Sequence, residues 1–265
     1  MSDQIRLLPY RSGVGEFWRD NGKSITPYLI AVVILIAGSI ANPGFSSMTA
    51  LLIRIKVASF FGIIAIAQTT VILSGGGGID VSVGTIASMG ALFSASIMQG
   101  GENSTLLAIV VVAAMGLALG LINGYFIAYL RIHPLIMTLA ISYVATGIIV
   151  AFAQGRKLLG TASPALEAVV NGKINGFHLI ILLWIGLTIA AEFILRRTRT
   201  GQTLLSVGTN ETAATLSGVR VKSFRLGVYG FSGMMSAVFG ALLLGYVHTV
   251  FLDVGNSYLF PSVVA

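Results

Sequence analysis

No cysteine occurs among the 265 residues, which excludes disulfides, thiolate metal sites and thiol nucleophiles. Histidine is nearly as scarce: His133, His178 and His248 stand far apart, without the spacing of a metal-ligand set. Charge is missing too, since Asp, Glu, Lys and Arg make up 9% of the chain against about 25% in soluble domains. The few acids have no paired base or nucleophile beside them, so no catalytic constellation is present and the chain is not expected to be an enzyme. Glu192, four residues before Arg196, reads as a local helix-end ion pair. No GxxxxGK[ST] occurs either, so Leu73 to Gly77, LSGGG, is not read as a nucleotide-binding signature.

What remains is apolar. Hydrophobic residues make up 55% of the chain and the mean hydropathy is +0.92, values that place it in a membrane. Charge-free runs extend from Ser24 to Ile53, Val57 to Ile79, Val81 to Gly101, Asn103 to Leu130, Ile132 to Gly155, Ile174 to Ala191 and Leu226 to Leu252. Each is long enough for the roughly 17–25 helical residues of one crossing. Unpaired backbone is intolerable in hydrocarbon and the alternation of a barrel strand is absent, so the fold class is all-α, a polytopic transmembrane bundle in one domain.

The formal charge of +7 reads as loop bias and not as a nucleic-acid surface. With one crossing per run and the N-terminus inside, the inner segments hold 11 Lys and Arg and the outer ones 5. Residues 1–23, with Arg6, Arg11, Arg19 and Lys23, and the loop from Arg196 to Arg225 are therefore expected on the cytoplasmic side. No small-residue cleavage site follows promptly after residue 23, so the first helix is expected to be retained. Gly116, Gly120 and Gly124 recur every four residues and predict a smooth helix face for close packing.

Two stretches break the apolar pattern. Gln68 to Gly84, QTTVILSGGGGIDVSVG, sets polar side chains, four glycines and a carboxylate where a crossing would otherwise continue. Gly75, Gly76, Gly77 and Gly78 predict a broken helix, tolerable only where protein or a water-filled cavity satisfies the freed backbone. Asp80 has two readings, a cap for a helix starting near Val81 or a contact for a transported solute. Gln68, Thr69, Asp80, Ser82 and Asn123 are the candidate lining of a substrate pathway; Asn123 equally suits a helix–helix hydrogen bond.

The second stretch is the polar segment Arg196 to Arg225. Thr209 or Asn210 suits the cap of a short helix, with Glu211 in its first turn, Ala213, Ala214, Leu216 and Ser217 following, and Gly218 as its stop. Two turns are unstable alone in water, so this helix needs a groove in a partner or a rest on its own protein or membrane.

RTRTGQTLLSVGTNETAATLSGVRVKSFRLGVYGFSG resembles the cytoplasmic loop and following helix of permease subunits of ATP-binding-cassette sugar importers of the ribose type. The family pattern falls on Arg199, Gly201, Gly208, Asn210, Ala213, Ala214, Ser217, Gly218, Tyr229, Ser232 and Gly233. SGGGGIDVSVG and LINGYFIAYLRIHPLIMTL, through Asn123, Gly124, Pro134, Thr138 and Leu139, extend the resemblance over nearly the whole chain. Branched-chain amino-acid permeases share the general plan, but the wording around Asp80 is closer to the sugar branch. Relatives carry two glycines where this chain has four, a proline or small residue in place of His133, and further membrane helices beyond the position of Ala265. Those C-terminal helices are expected to be missing from this chain.

The resemblance implies import of a monosaccharide or similar polar solute through the bacterial inner membrane. It implies a second permease subunit, a periplasmic or extracellular sugar-binding protein, and separate ATPase subunits that hold the ATP, so no cofactor is expected on this chain. Asn210 to Gly218 is then the element that couples to the ATPase. An ion-coupled secondary carrier and a truncated, non-transporting membrane scaffold are the competing readings.

Overall fold

The computed structural model describes residues 14–42, 44–101, 104–154, 160–249 and 252–264. Arg6, Arg11, Arg156 and Lys157 of the charge count lie outside the described residues, as do the side chains of Arg19 and Lys23. The helices are α1 (Val14–Ala41), α2 (Met48–Leu73), α3 (Val83–Met98), α4 (Thr105–Leu130), α5 (Pro134–Ala153) and α6 (Pro164–Asn171). A hairpin of β1 (Lys173–Ile174) and β2 (Phe177–His178) leads into α7 (Leu179–Arg197), α8 (Arg199–Thr209), α9 (Glu211–Leu216), α10 (Val221–Val247) and α11 (Leu259–Val264). Each of the seven charge-free runs is largely helical, so the expected all-α class is what is found.

The chain divides into two units, Met1–Arg54 and Ile55–Ala265. In the first, α1 begins ten residues before the apolar run at Ser24, so part of the segment read as a polar N-terminal tail is helical. Arg54 donates to the Phe45 carbonyl and sits 3.6 Å from the Phe45 ring centroid.

In the second unit α10 is the central helix. Of its most apolar window 61% is buried, against 11% for α7, which faces outward. Two rows of backbone-to-backbone contact hold it. A Cβ on Gly233 would collide with the Gly116 carbonyl oxygen, and a Cβ on Gly240 with that of Ala87. The stripe of Gly116, Gly120 and Gly124 is therefore the α4 side of a seam with α10, as small residues allow in a medium with no hydrophobic force between helices. Ile86, Met89, Val112, Ile141 and Ala237 join α3, α4, α5 and α10 in one core; Phe60, Ile64, Ile180 and Phe239 join α2, α7 and α10 in another. Gly233→Val pushes its added carbons into immovable backbone, so its cost is expected at or above the upper end of the about 1–3 kcal/mol of ordinary overpacking. A clear drop in the melting temperature of the detergent-solubilised protein is the check.

Among the described residues, five helices, α2, α4, α5, α7 and α10, are long and apolar enough to cross a membrane. The sixteen residues of α3 rise about 24 Å at 1.5 Å each, short of a roughly 30 Å hydrocarbon core.

Arg54 and Lys56, read from sequence as a segment between two crossings, instead lie within α2. Lys56 is buried; its Nζ donates to Asn171 Oδ1 at 2.5 Å and lies 4.9 Å from the Tyr246 ring centroid. A charge in a membrane helix persists where such partners replace water.

The polar segment Arg196 to Arg225 is folded, not loose. Thr198 caps α8 through the Gly201 N–H, and Gly201, Leu204 and Val207 recur at helical spacing on its buried side. Leu204 packs with Val71, Ile127 and Tyr229, so α8 closes one end of the bundle.

Candidate functional site: a glycine-broken helix around Asp80

Helix α2 ends at Leu73, and Gly75, Gly76 and Gly77 follow with φ of +75°, +69° and +68°. Any other L-residue there meets a penalty of about 1–2 kcal/mol for the left-handed conformation, which is why the break is written in glycine. The chain then passes without regular structure through Gly78, Ile79 and Asp80 and turns at Val81 and Ser82 before α3 begins at Val83.

The backbone freed by the break is satisfied by side chains from three helices. The Gln68 amide of α2, oriented by its neighbours, accepts from the Asp80 N–H at 3.1 Å and donates to the Asp80 carbonyl at 3.2 Å. From α5, Thr138 Oγ1 accepts the Val81 N–H at 3.1 Å while Ser142 Oγ stands 3.2 Å from the Val81 carbonyl. On the α2 side, the Arg225 guanidinium of α10 reaches the Ser74 carbonyl. This is the condition under which irregular backbone survives at membrane depth.

Asp80 itself is the hub, fully buried. Its Oδ1 accepts from Ser82 N at 3.0 Å and Ser82 Oγ at 2.5 Å; its Oδ2 accepts from Ser232 Oγ of α10 at 2.8 Å. Because Ser82 gives its only hydroxyl proton to the carboxylate, it accepts from Asn123 Nδ2 of α4 at 3.0 Å. That chain of donors leaves Asn123 Oδ1 buried and without a partner. Such an orphan acceptor is about 1–3 kcal/mol unfavourable when dry.

Four of the five residues read as pathway lining, Gln68, Asp80, Ser82 and Asn123, thus meet in one hydrogen-bonded group. Thr69, one position round the helix from Gln68, is exposed and outside it. The cap reading of Asp80 is met in altered form: the carboxylate binds the backbone two residues on, Ser82 holds the N-cap position without a side-chain bond, and the helix starts at Val83. Ser142 escaped the sequence reading, and Ser232 and Thr138 entered it only as motif positions. Each is a hydroxyl in a largely apolar helix, a weak signal that other hydroxyls of the same helices share.

Beside the break opens a cavity of about 370 Å³ whose walls include Gly75, Pro134, Glu211, Arg225 and Tyr229. Tyr229 also stands against the glycine strap, since its hydroxyl would lie 3.2 Å from a Cβ placed on Gly78. The helix read as a coupling element is α9. Asn210 Oδ1 caps it through the Ala213 N–H at 3.0 Å, and Gly218, at φ +86°, ends it. Thr209, the other candidate cap, is the last residue of α8. Ala214 turns inward onto Val207 and Val221, whereas Asn210, Glu211, Ala213, Leu216, Ser217 and Gly218 are exposed.

An apolar helical bundle crossed by a broken helix, with a buried polar group at the break, defines a multi-pass membrane protein built around an internal polar site. Residues 50–265 match the family described as branched-chain amino acid transport system / permease component, and the chain belongs to that family. It is 29% identical over 244 residues to the ribose import permease protein RbsC of Bacillus subtilis, covering 92% of this chain and 75% of that one. It is 31% identical over 240 residues to the RbsC of Haemophilus influenzae, covering 89% and 73%. The autoinducer 2 import system permease protein LsrD of Escherichia coli is 27% identical over 241 residues, 89% of this chain and 72% of that one. No solved structure matches the chain.

Proposed function

We propose that this chain is the membrane-spanning permease subunit of an ATP-driven importer for a monosaccharide or a similar small polar solute. The observation that carries the reading is the group of Gln68, Asp80, Ser82, Asn123 and Ser232 at a glycine break. It is a polar, hydroxyl-matched interior in a bundle whose outer surface is apolar. Relatives named for ribose and autoinducer 2 import support a small polar cargo. The chain performs no chemistry; ATP is held and hydrolysed on separate subunits that dock at α9. A second permease subunit completes the pathway, and a periplasmic or extracellular sugar-binding protein selects the solute.

The location is the bacterial inner membrane, with the N-terminus and the Arg196 to Arg225 segment on the cytoplasmic side. A binding event at α9 drives transport by favouring one arrangement of the bundle over another, which is the thermodynamic requirement for any coupled switch. Reconstitution with the ATPase and binding protein, against a panel of sugars, is expected to give uptake that requires ATP. Uptake driven by an ion gradient without the ATPase would replace this reading with a secondary carrier. Assembly with the ATPase but no flux of any sugar would replace it with a scaffold.

A further inference from the structure

Between the ATPase-docking helix and the buried polar group, the covalent route from α9 to Asp80 runs through the whole of α10 or back through α8 and beyond. A much shorter route exists through space. Arg225, four residues into α10, is largely buried, with its side chain 13% exposed. Its Nη2 lies 3.0 Å from Glu211 Oε2, on the first residue of α9, and 3.4 Å from the Ser74 carbonyl at the end of α2. One guanidinium nitrogen, Nη2, therefore touches the docking helix and the start of the glycine strap together, while Nε of the same group is buried without a partner.

A second contact, independent of charge, joins the same two places. Gly208, in the last turn of α8 and two residues before the cap of α9, packs its backbone on Leu73 and Gly75. A Cβ at Gly208 would collide with the Leu73 carbonyl oxygen, and one at Gly75 would lie 2.9 Å from Gly208 Cα. At its far end the strap is fastened through Asp80 to Gln68, Ser82 and Ser232. Between its ends the Gly78 N–H bonds back to the Gly75 carbonyl at 3.3 Å and a Cβ on Gly78 would lie 3.0 Å from the Val71 carbonyl oxygen, while at Gly77 nothing comes within 4 Å of an added Cβ. A short segment pinned at both ends and braced between them carries a displacement from one end to the other.

We propose that Arg225 is a positioning residue for transport: held between Glu211 on α9 and the Ser74 carbonyl, it passes a displacement of α9 to the glycine strap and so to the group around Asp80. The proposal rests on the reading of α9 as the ATPase-docking element. Its rival is a plain structural tie, in which Arg225 only keeps the α8–α9 segment folded against the bundle.

The two differ in uptake per ATP hydrolysed, measured on the complete complex of permease, ATPase and binding protein. Arg225→Gln is expected to lower that ratio about tenfold, within the roughly 5- to 150-fold range of coupling between linked sites, with Arg225→Lys intermediate. If uptake and hydrolysis instead fall together, in proportion to the amount of assembled complex, the tie is structural and the proposal is overturned. Should Arg225→Gln fail to assemble, the strap is tested at Gly77, where an added Cβ meets nothing and only the positive φ is taxed. Gly77→Ala is expected to lower uptake per ATP and Gly77→Asn, which tolerates that conformation, to restore it. Equal, wild-type ratios for both would sink the strap as a transmitter. A wild-type complex that shows no ATP-dependent uptake of any sugar takes down the importer reading and this one together, whereas failure of the latch alone leaves the wild type active.

Discussion

Asp80→Ala is expected to remove most of the folded protein from the membrane, and Asp80→Asn to bring it back without transport. Alanine leaves the Ser82 N–H, the Ser82 hydroxyl and the Ser232 hydroxyl buried without their acceptor. Each such loss costs about 1–3 kcal/mol, and three together compare with the whole stability of many domains, about 5–15 kcal/mol. Asparagine keeps the shape: its oxygen still accepts from Ser82, and its amide donates to the Ser232 oxygen. It offers incoming hydroxyls one acceptor oxygen where the carboxylate offers two, so sugar uptake is expected to stay low although the protein is present. Membrane abundance by immunoblot and ATP-dependent uptake, measured side by side, separate the two effects. Full uptake by Asp80→Asn would assign the residue to the fold alone.

Leu216→Asp is expected to do the opposite, leaving the fold intact and cutting the link to the ATPase. Leu216 is 84% exposed on α9, a large apolar side chain on an otherwise polar surface segment. Surface substitutions of this kind shift stability by only about 0.5 kcal/mol. An apolar anchor in a partner's groove is worth about 2 kcal/mol or more, near thirtyfold in affinity. Co-purification of the ATPase is therefore expected to fall by about that factor while the melting temperature holds. Undiminished co-purification would move the docking surface elsewhere on the segment.

Much of this architecture is legible in the sequence because the bilayer punishes exceptions. Long charge-free runs have one low-energy form in hydrocarbon, and all seven hold a helix. Lys56 shows where the reading by charge goes astray: a lone lysine marks a loop only if no partner waits for it, and Asn171 and Tyr246 come from far along the chain. Helix α8 is hard to see in the sequence because its buried side, Gly201, Leu204 and Val207, is narrow and set among polar residues. The hairpin was missed although Asn175 and Gly176, with φ of +50° and +88°, form the pair such a turn demands.

At the candidate site, Gly75 to Gly78 and Asp80 declared themselves by being wrong for a membrane helix. Ser232, Thr138 and Ser142 did not, since a single hydroxyl is common in such helices and can bond its own backbone; only tertiary placement aims it at Asp80. Asn123 was readable as polar, yet its two functions looked alike in sequence. The structure has it doing the first, a bond across to Ser82, with the other half of its amide still open.

The central position of α10 has a consequence for how the protein is made. Among the described crossings it is the last to leave the ribosome, yet α4 holds a stripe of bare backbone, and α3 exposes Ala87, for it to cover. Until it arrives, the groove between them stands open to lipid, and Asp80 lacks the hydroxyl of Ser232. The earlier helices must therefore wait in the bilayer as an unfinished cradle, and their stable assembly is timed by the insertion of one late segment.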